Sequence, residues 1–377
     1  MHSNKVLFLT LHTFSLTGGI EKVCCSLAKV FSDLRIKFNL YSLHDSNSDI
    51  DTRYLKKEHF KGFKHGKLSF TISSILKGAS ADTVLLSHIN LLFFAYLIKT
   101  ISPSTKIIML AHGIEIWRKL PKWKKIFLQD RVEIWAVSKY TAATLTEMHQ
   151  IPANKIKVVN NCLDPFFELP QNFEKPTHLL ERYGLDNKQP ILFTLTRLSA
   201  QEGYKGYDRV IQALPKLLNE FPDLHYILGG KADETEKQRV LSLVKELNLN
   251  GRVTLASFIK ADELTDHFKL GNLFVMPSTM EGFGIVFIEA AACGTKVIGG
   301  NADGSVDALL NGKLGKLIDP DSVEELSNAI AESLHGTTNP KVIQELCTTN
   351  FGYYNYVIEV KELILTNSNK IAQHGNR

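Results

Sequence analysis

The sequence predicts an α/β protein built from two doubly wound, Rossmann-like domains. Short runs rich in Val, Ile and Leu alternate with helical stretches, and the whole series occurs twice. The chain has 377 residues, too many for one ordinary α/β domain and suited to two of roughly 150–200 residues each. Between the two series lies FFELPQNFEKPTHLLERYGLDNKQP, which has three prolines and no strand pattern.

In the first series, strands are expected at Lys5–Leu11, Phe38–Ser42, Val84–His88, Ile107–Ala111, Ile134–Val137 and Lys157–Val159. In the second they are expected at Ile191–Thr196, His225–Gly229, Val253–Ala256, Leu273–Met276, Lys296–Gly299 and Gly315–Ile318. Near-continuous apolar strands separated by helices imply parallel sheets buried on both faces. The expected domains are residues 1–168 and 186–351, with a linker at 169–185. A last helix, about Tyr353–Thr366 within residues 352–377, is expected to pack back on the first domain. Such domains should face each other across a cleft.

Composition bounds the function. Hydrophobic residues make up 44% and charged residues 22%, which is globular and excludes a disordered chain. The net charge of +5 is too small to argue for nucleic acid and suits an anionic ligand or membrane surface. The five cysteines are odd in number and lack C-x-x-C spacing, so a disulfide framework or zinc site is not expected and a reducing cytoplasm fits. The start, MHSNKVLFLTLHTF, reads as a first strand rather than a signal peptide. The apolar run Ile89 to Ile98 is too short to span a bilayer.

Ligands of open parallel sheets bind beyond the carboxyl ends of the strands. In the first series those positions hold Thr17-Gly18-Gly19, His88, Asn90, His112-Gly113, Ser138 and Asn160-Asn161. In the second they hold Arg197, Gly229-Gly230, Ser278, Glu281 and Gly299-Gly300. Gly and Asn are ordinary turn residues. Two histidines, an arginine and a glutamate are not what turn chemistry alone requires.

The segment MPSTMEGFGIVFIEAAACGTKVIGG, residues 276–300, carries the sharpest signal. Its glycine-rich loop enters an apolar helix from about Ile285, so backbone N–H groups and the positive helix end form a cradle for phosphate or sugar oxygens. Glu281 in the loop and Glu289 in the helix can each accept hydrogen bonds from vicinal hydroxyls. Capping would account for Glu281 and a surface ion pair for Glu289. Against the latter, Glu289 is embedded in IVFIEAAACG, where a solvated face is not expected.

This segment resembles the E-x7-E motif of the retaining glycosyltransferases with the GT-B fold, glycosyltransferase family 4-like or group 1. GGNADGSVDALLNGKLGKLIDPDSVEEL, residues 299–326, continues the resemblance. TRLSAQEGYKGYDRVI, residues 196–211, resembles the family's phosphate-binding segment, carried by Arg197 and Lys205. A diphosphate leaving group needs cationic donors, and the sequence has no D-x-D in a suitable loop and no clustered carboxylates for a metal.

The resemblance implies donor binding by Gly18, Gly19, Arg197, Lys205, Glu281, Gly282, Phe283, Gly284 and Glu289. It implies catalytic roles for His112, Glu281, Arg197 and Lys205, and acceptor-side roles for His88, Asn90 and Ser138. Where the family more often has Asn-Gly, this chain has Asn160-Asn161-Cys162. Retention, a UDP- or GDP-sugar donor, the absence of any metal or other cofactor, and a glycan or lipid-linked acceptor are what the resemblance implies, in surface polysaccharide, lipopolysaccharide or glycolipid synthesis.

Two basic–aromatic stretches, residues 53–70 and 116–127, suit an anionic lipid interface. A solvated helix face with core aromatics is the plainer alternative. The expected location is cytoplasmic or peripheral at the inner face of the plasma membrane. A nicotinamide-dependent oxidoreductase is disfavoured, because no G-x-G-x-x-G follows the first strand. A non-catalytic sugar-nucleotide-binding or assembly subunit is the alternative from another class.

Overall fold

A computed structural model describes residues 5–372. The chain divides into two compact units. One runs to Phe166 and includes the residues from Phe351 onward, and the other spans Phe167–Asn350.

The first unit contains β1 (Lys5–Thr10), α1 (Gly19–Asp33), β2 (Lys37–Ser42), β3 (Phe60–Gly62), α2 (Lys67–Ala79) and β4 (Thr83–Leu86). It continues through α3 (Leu92–Ile101), β5 (Lys106–Ala111), α4 (Lys122–Arg131), β6 (Val132–Ala136), α5 (Lys139–His149) and β7 (Ile156–Val158). The seven strands form one parallel sheet in the order β3-β2-β1-β4-β5-β6-β7. The central strands are buried along almost their whole length, as their Val/Ile/Leu content requires. Helix α1 brings Val23, Cys24, Leu27, Ala28 and Phe31 to the core.

The second unit contains α6 (Thr177–Tyr183), β8 (Ile191–Leu195), α7 (Tyr207–Leu218), β9 (His225–Gly229), α8 (Glu234–Glu246), β10 (Val253–Ser257) and α9 (Leu264–Leu270). There follow β11 (Leu273–Met276), α10 (Ile285–Ala292), β12 (Lys296–Gly300), α11 (Ser305–Ala308), β13 (Lys316–Ile318), α12 (Val323–His335) and α13 (Pro340–Phe351). Its sheet is also parallel, in the order β10-β9-β8-β11-β12-β13.

Two elements differ from the sequence reading. β3 is not among the expected strands: it has three residues, too few for a periodic pattern, and exists because it pairs in register with Leu40–Ser42. The segment expected as linker contains α6, which packs on α9 and buries Leu179 and Leu180. Pro176 stands at its N-cap and Gly184 closes it in the left-handed conformation.

The final helix, α14 (Tyr353–Ala372), belongs to the first unit and packs against α1. Tyr356, Val360 and Ile364 are its buried positions, and the Tyr353 hydroxyl donates to Asp33 Oδ2 at 2.9 Å. The rest of the expected returning segment, residues 373–377, lies outside the described residues, as do residues 1–4. All five cysteines are free and buried.

Candidate active site

Both sheets reverse strand order once, between β1 and β4 in the first unit and between β8 and β11 in the second. Loops leaving such neighbouring strands diverge to opposite faces and open a crevice at the carboxyl edge. The predicted residues concentrate on these loops.

In the second unit, the loop after β8 ends in a 3₁₀ turn, Ala200–Lys205, and the loop after β11 leads through Glu281 into α10. The loops are fastened together. Thr279 N donates to Tyr204 O at 2.9 Å. Gly206 sits at φ +78°, and a Cβ there would lie 2.2 Å from Pro277 O. Only glycine allows that approach. The fastening brings Lys205 Nζ onto the Glu281 carboxylate as a largely buried ion pair, with the side chains 15% and 13% exposed. Burial works against the Lys205 charge, but Glu281, Tyr204 and Glu202 outweigh it and raise its pKa. Arg197 lies in the same loop, is 66% exposed, and pairs with Glu202 at 3.1 Å.

Asp303, which is absent from the residues expected on sequence, holds the Glu281 loop. Its Oδ2 accepts from Glu281 N at 2.6 Å and from Ser278 Oγ at 2.9 Å. Its Oδ1 accepts from Ser305 N at 2.9 Å, and Gly304 N donates back to Glu281 O at 2.8 Å. Burial pushes the Asp303 carboxyl up to about 6 against these donors. The available signal was Asp-Gly-Ser just after a strand, where an aspartate binds the backbone two residues on.

Gly284 precedes α10 at φ +85°, and no side chain caps the helix. Phe283 is buried, and Glu289 is only 1% exposed among apolar neighbours. Glu281 and Glu289 therefore lie at the entrance and in the interior of one short helix.

In the first unit, Gly18 is the extended N-cap of α1, and a Cβ on Gly19 would meet nothing within 4 Å. His88 follows β4, and its Nδ1 accepts from Asn90 N at 3.0 Å. Asn90 Oδ1 accepts from Arg118 at 3.1 Å. His112 follows β5, with its backbone N–H donating to Glu115 Oε1 at 2.6 Å. Its Nε2 lies 3.0 Å from Ser87 O. A carbonyl only accepts, so Nε2 carries the proton and Nδ1 is left as an acceptor. Burial pushes His112 down to about 4, so the ring is neutral. His88 is also pushed down to about 4, first by burial and with nearby His112 adding to it against the opposing Glu115 carboxylate. Glu115, held up by its own burial, is a second residue that sequence reasoning missed.

Ser138, expected on the acceptor side, caps a helix. It is fully buried, and its hydroxyl accepts from Thr141 N at 3.0 Å as the N-cap of α5, so capping accounts for its place at a strand end. Asn160 donates to Val137 O at 3.0 Å, and neither it nor Asn161 adopts positive φ.

The two basic–aromatic stretches are buried to different extents. Tyr54, Phe60, Phe63 and Phe70 of the first are buried. The exposed apolar surface comes from Leu68 of that stretch with Ile72 and Leu76, four residues apart along α2, from Phe93 and Tyr96 of α3, and from Trp123 and Ile126 of the second stretch on α4. Helices α2 and α3 pack together, and the Tyr96 and Trp123 rings meet at 5.9 Å. Between residues 61 and 129 only Asp82 and Glu115 are acidic, while lysines recur throughout. Among the described residues no helix is long and apolar enough to cross a membrane.

Comparison with known proteins follows the division into units. A family model described as Glycosyltransferase Family 4 matches residues 17–166, and one described as Glycosyl transferases group 1 matches residues 177–345. The chain is 30% identical over 242 residues to a GDP-mannose-dependent alpha-(1-6)-phosphatidylinositol monomannoside mannosyltransferase of Mycolicibacterium smegmatis. That match covers 61% of this chain and 61% of the relative's length. Among solved structures, Anabaena HepE in complex with UDP-glucose superposes with a TM-score of 0.77 at 19% identity, over 96% of this chain and 99% of the other. A glycosyltransferase from Rickettsia africae ESF-5 gives 0.77 at 20% identity, over 97% and 100%. At these identities the structures show the shared fold.

Proposed function

The chain belongs to the GT-B glycosyltransferases of group 1 and family 4, and from that premise we propose that it moves a hexosyl unit from a nucleotide-diphosphate sugar to a glycan or lipid-linked acceptor, with retention of configuration. The observation that carries this reading is the Lys205–Glu281 pair at the strand-order reversal of the second unit. A cation for the departing diphosphate and a carboxylate for the hydroxyls of the sugar stand at one point, beside the uncapped start of α10.

In this reading Arg197 and Lys205 take the charge that grows on the leaving diphosphate. The start of α10, with Gly282, Phe283 and Gly284, adds backbone N–H donors and the positive end of the helix. Glu281 orients the transferred sugar, and Glu289 accepts from the ribose. No divalent metal is needed, because the two cationic side chains supply the positive charge. The acceptor hydroxyl attacks on the face the diphosphate leaves, and a phosphate oxygen takes its proton. The protein supplies position and charge rather than a nucleophile. Neutral His112, with Nδ1 free to accept, suits a hydroxyl donor near the reacting carbon, and Gly18 and Gly19 let the backbone approach donor or acceptor.

The acceptor is lipid-linked and is met at the cytoplasmic face of a membrane, in the synthesis of a surface polysaccharide or glycolipid. The exposed apolar stripe of α2 within a lysine-rich, acid-poor segment supports this, since apolar burial and attraction to anionic headgroups act together. The matched mannosyltransferase takes GDP-mannose and a phosphatidylinositol mannoside, and HepE was crystallised with UDP-glucose, so either donor base is compatible.

The test is a thermal-shift screen of UDP- and GDP-sugars. A donor at ~100 times its dissociation constant stabilises by about 2.7 kcal/mol. Hydrolysis of the selected donor, and its transfer to a lipid extract, should follow. Binding without hydrolysis or transfer would favour a non-catalytic subunit.

A further inference from the structure

Three histidine side chains meet at the carboxyl edge of the first sheet, on the β1-β2-β3 side of its reversal point, and the transfer reaction proposed above leaves them unused. His12 follows β1, His44 follows β2 and His65 follows β3, which are adjacent strands. The His12 and His44 rings stack with centroids 4.6 Å apart. Those of His44 and His65 are 4.7 Å apart, with their Nδ1 atoms at 2.7 Å.

The backbone is bent to make this contact. Lys64 and His65 are consecutive non-glycine residues at φ 46° and 64°. Such a conformation persists only where the surroundings hold it, and it recurs at functional sites. Here Lys64 N donates to Asp45 O at 2.8 Å and His65 N to Leu43 O at 2.9 Å.

The charge balance of the cluster is one-sided. Its nearest carboxylate is Asp45, which is fully buried and lies 3.9 Å from His12 Nδ1. That carboxylate already accepts from Thr13 N, Phe14 N, Ser15 N and the Ser15 hydroxyl. The groups facing His44 are His12, His65, Asp45 and Lys67, and its pKa is lowered first by burial, then by the two neighbouring imidazoles. An N–H···N bond between His44 and His65 engages both Nδ1 atoms through one shared proton, and His12 Nδ1 lies 2.9 Å from Ser15 Oγ. Each ring's Nε2 remains, and a further proton would put cations side by side with no free carboxylate to balance them.

We propose that His12, His44 and His65, with Lys67, form a binding site for a phosphate group carried by the acceptor. A tetrahedral oxyanion can accept from several imidazole N–H groups at once and offsets their charge when they are protonated. A cation is disfavoured: the two Nδ1 atoms face each other, and among the described residues no group of three or more His, Cys, Asp or Glu side chains is placed to hold a metal ion. That the phosphate belongs to an acceptor rests on the glycosyltransfer reading; phosphate binding itself does not.

The test is calorimetric titration of the full chain with sn-glycerol 3-phosphate at about pH 6, with the donor site filled by a nucleoside diphosphate. In parallel, the protein is sedimented with vesicles of phosphatidylcholine with and without phosphatidate. Wild type should bind glycerol 3-phosphate and take up protons as it does so. His44→Gln and His65→Gln should weaken binding by about tenfold or more, as removal of a charge-assisted hydrogen bond does. His65 is exposed, so its variant should melt like wild type and separates ligand loss from misfolding.

Histidine-dependent binding of phosphatidate vesicles alone assigns the phosphate to a lipid, and binding of glycerol 3-phosphate assigns it to any phosphomonoester. Absence of saturable binding in both arms overturns the proposal. So does binding that both histidine variants retain, or tighter Zn²⁺ binding that disappears in the same variants. Histidine-dependent phosphate binding in a chain that transfers no sugar would leave the site standing and remove the proposed activity.

Discussion

Lys205 and Glu281 stand 76 positions apart in the sequence, and their side chains form one ion pair between the loops that leave neighbouring strands β8 and β11. Both are largely buried, so neither charge has much water to fall back on. Removing one partner from such a pair costs on the order of 3 kcal/mol, much of it the penalty of the charge left behind. Lys205→Met should therefore lower stability more than the double variant Lys205→Met/Glu281→Gln. Urea unfolding of the single and double variants measures this. Equal losses would mean the pair adds nothing to the fold.

The pair also predicts a kinetic effect. A diphosphate reaching Lys205 must draw it from Glu281, while Arg197, exposed and paired with Glu202, can swing to the same anion. Arg197→Ala and Lys205→Ala should each reduce kcat/KM by about 10²-fold or more, as removal of a charge-stabilising donor does. Turnover should persist in EDTA. Full activity of the double alanine variant, or strict dependence on a divalent cation, would remove the assigned roles.

Two buried groups give opposite pH signatures. His225, whose Nε2 lies 2.8 Å from Thr254 Oγ1, is pushed down to about 4, first by burial and then by Arg252. Unfolded, it titrates near 6.5. Its contribution is therefore present above 6.5 and lost as pH falls towards 4, by about 2 kcal/mol between pH 7 and 5. Asp303 is raised to about 6 from an unfolded value near 3.9, so the folded state takes up its proton first. That gains about 1 kcal/mol over the same interval. His225→Gln should flatten the acid loss of stability, and Asp303→Asn should steepen it. Melting temperatures at pH 7 and pH 5 decide, and identical slopes in all three proteins would contradict both assignments.

The fold was legible because buried parallel strands write themselves as apolar runs, and β8, β9 and β11 lie where Ile191, His225 and Leu273 begin such runs. β3 was not, because three residues carry no period and only the register with Leu40 creates the strand. At the site, the sequence marked residues whose chemistry is unusual for a turn, such as Arg197, Glu281 and His112. It marked Asp303 only through the Asp-Gly-Ser turn and Glu115 not at all, since an aspartate or glutamate that braces backbone amides looks like any loop acid until the loop is folded. Nor could it separate Ser138 the cap from Ser138 the ligand, because both readings need a serine just after a strand. The histidines at 12, 44 and 65 are far apart in sequence and meet only through strand adjacency.

On the proposed reading, membrane docking falls to the exposed apolar residues of α2, α3 and α4, since Tyr54, Phe60, Phe63 and Phe70 are core. Replacing Leu68, Ile72 and Leu76 by Ser removes exposed apolar area at three positions and leaves the lysines. Sedimentation with vesicles containing anionic lipid should then fall several-fold while the melting temperature stays within a few degrees, as expected for exposed sites. Recovery in the supernatant that is equal with anionic and neutral vesicles for the unaltered chain would reject docking altogether.

Glu281 and Glu289 are assigned to different halves of the donor, and their surroundings make the two roles separable. Glu281 lies at the helix entrance, paired with Lys205, where it also competes with any phosphate for that cation. Glu289 lies inside α10, 1% exposed, and on the proposed reading accepts from the donor ribose. Glu281→Gln releases Lys205, so a nucleoside diphosphate should bind at least as tightly as before. Its kcat should fall, because the Glu281 carboxylate acts on the moving sugar. Glu289→Gln should weaken nucleoside diphosphate and full donor alike, because the ribose is common to both. Titration of each variant with the diphosphate and with the donor, beside kcat for transfer, resolves the two. If Glu281→Gln abolished diphosphate binding while Glu289→Gln kept it, the carboxylates would have to exchange roles. If neither variant changed binding or rate, the helix entrance would not be the donor site.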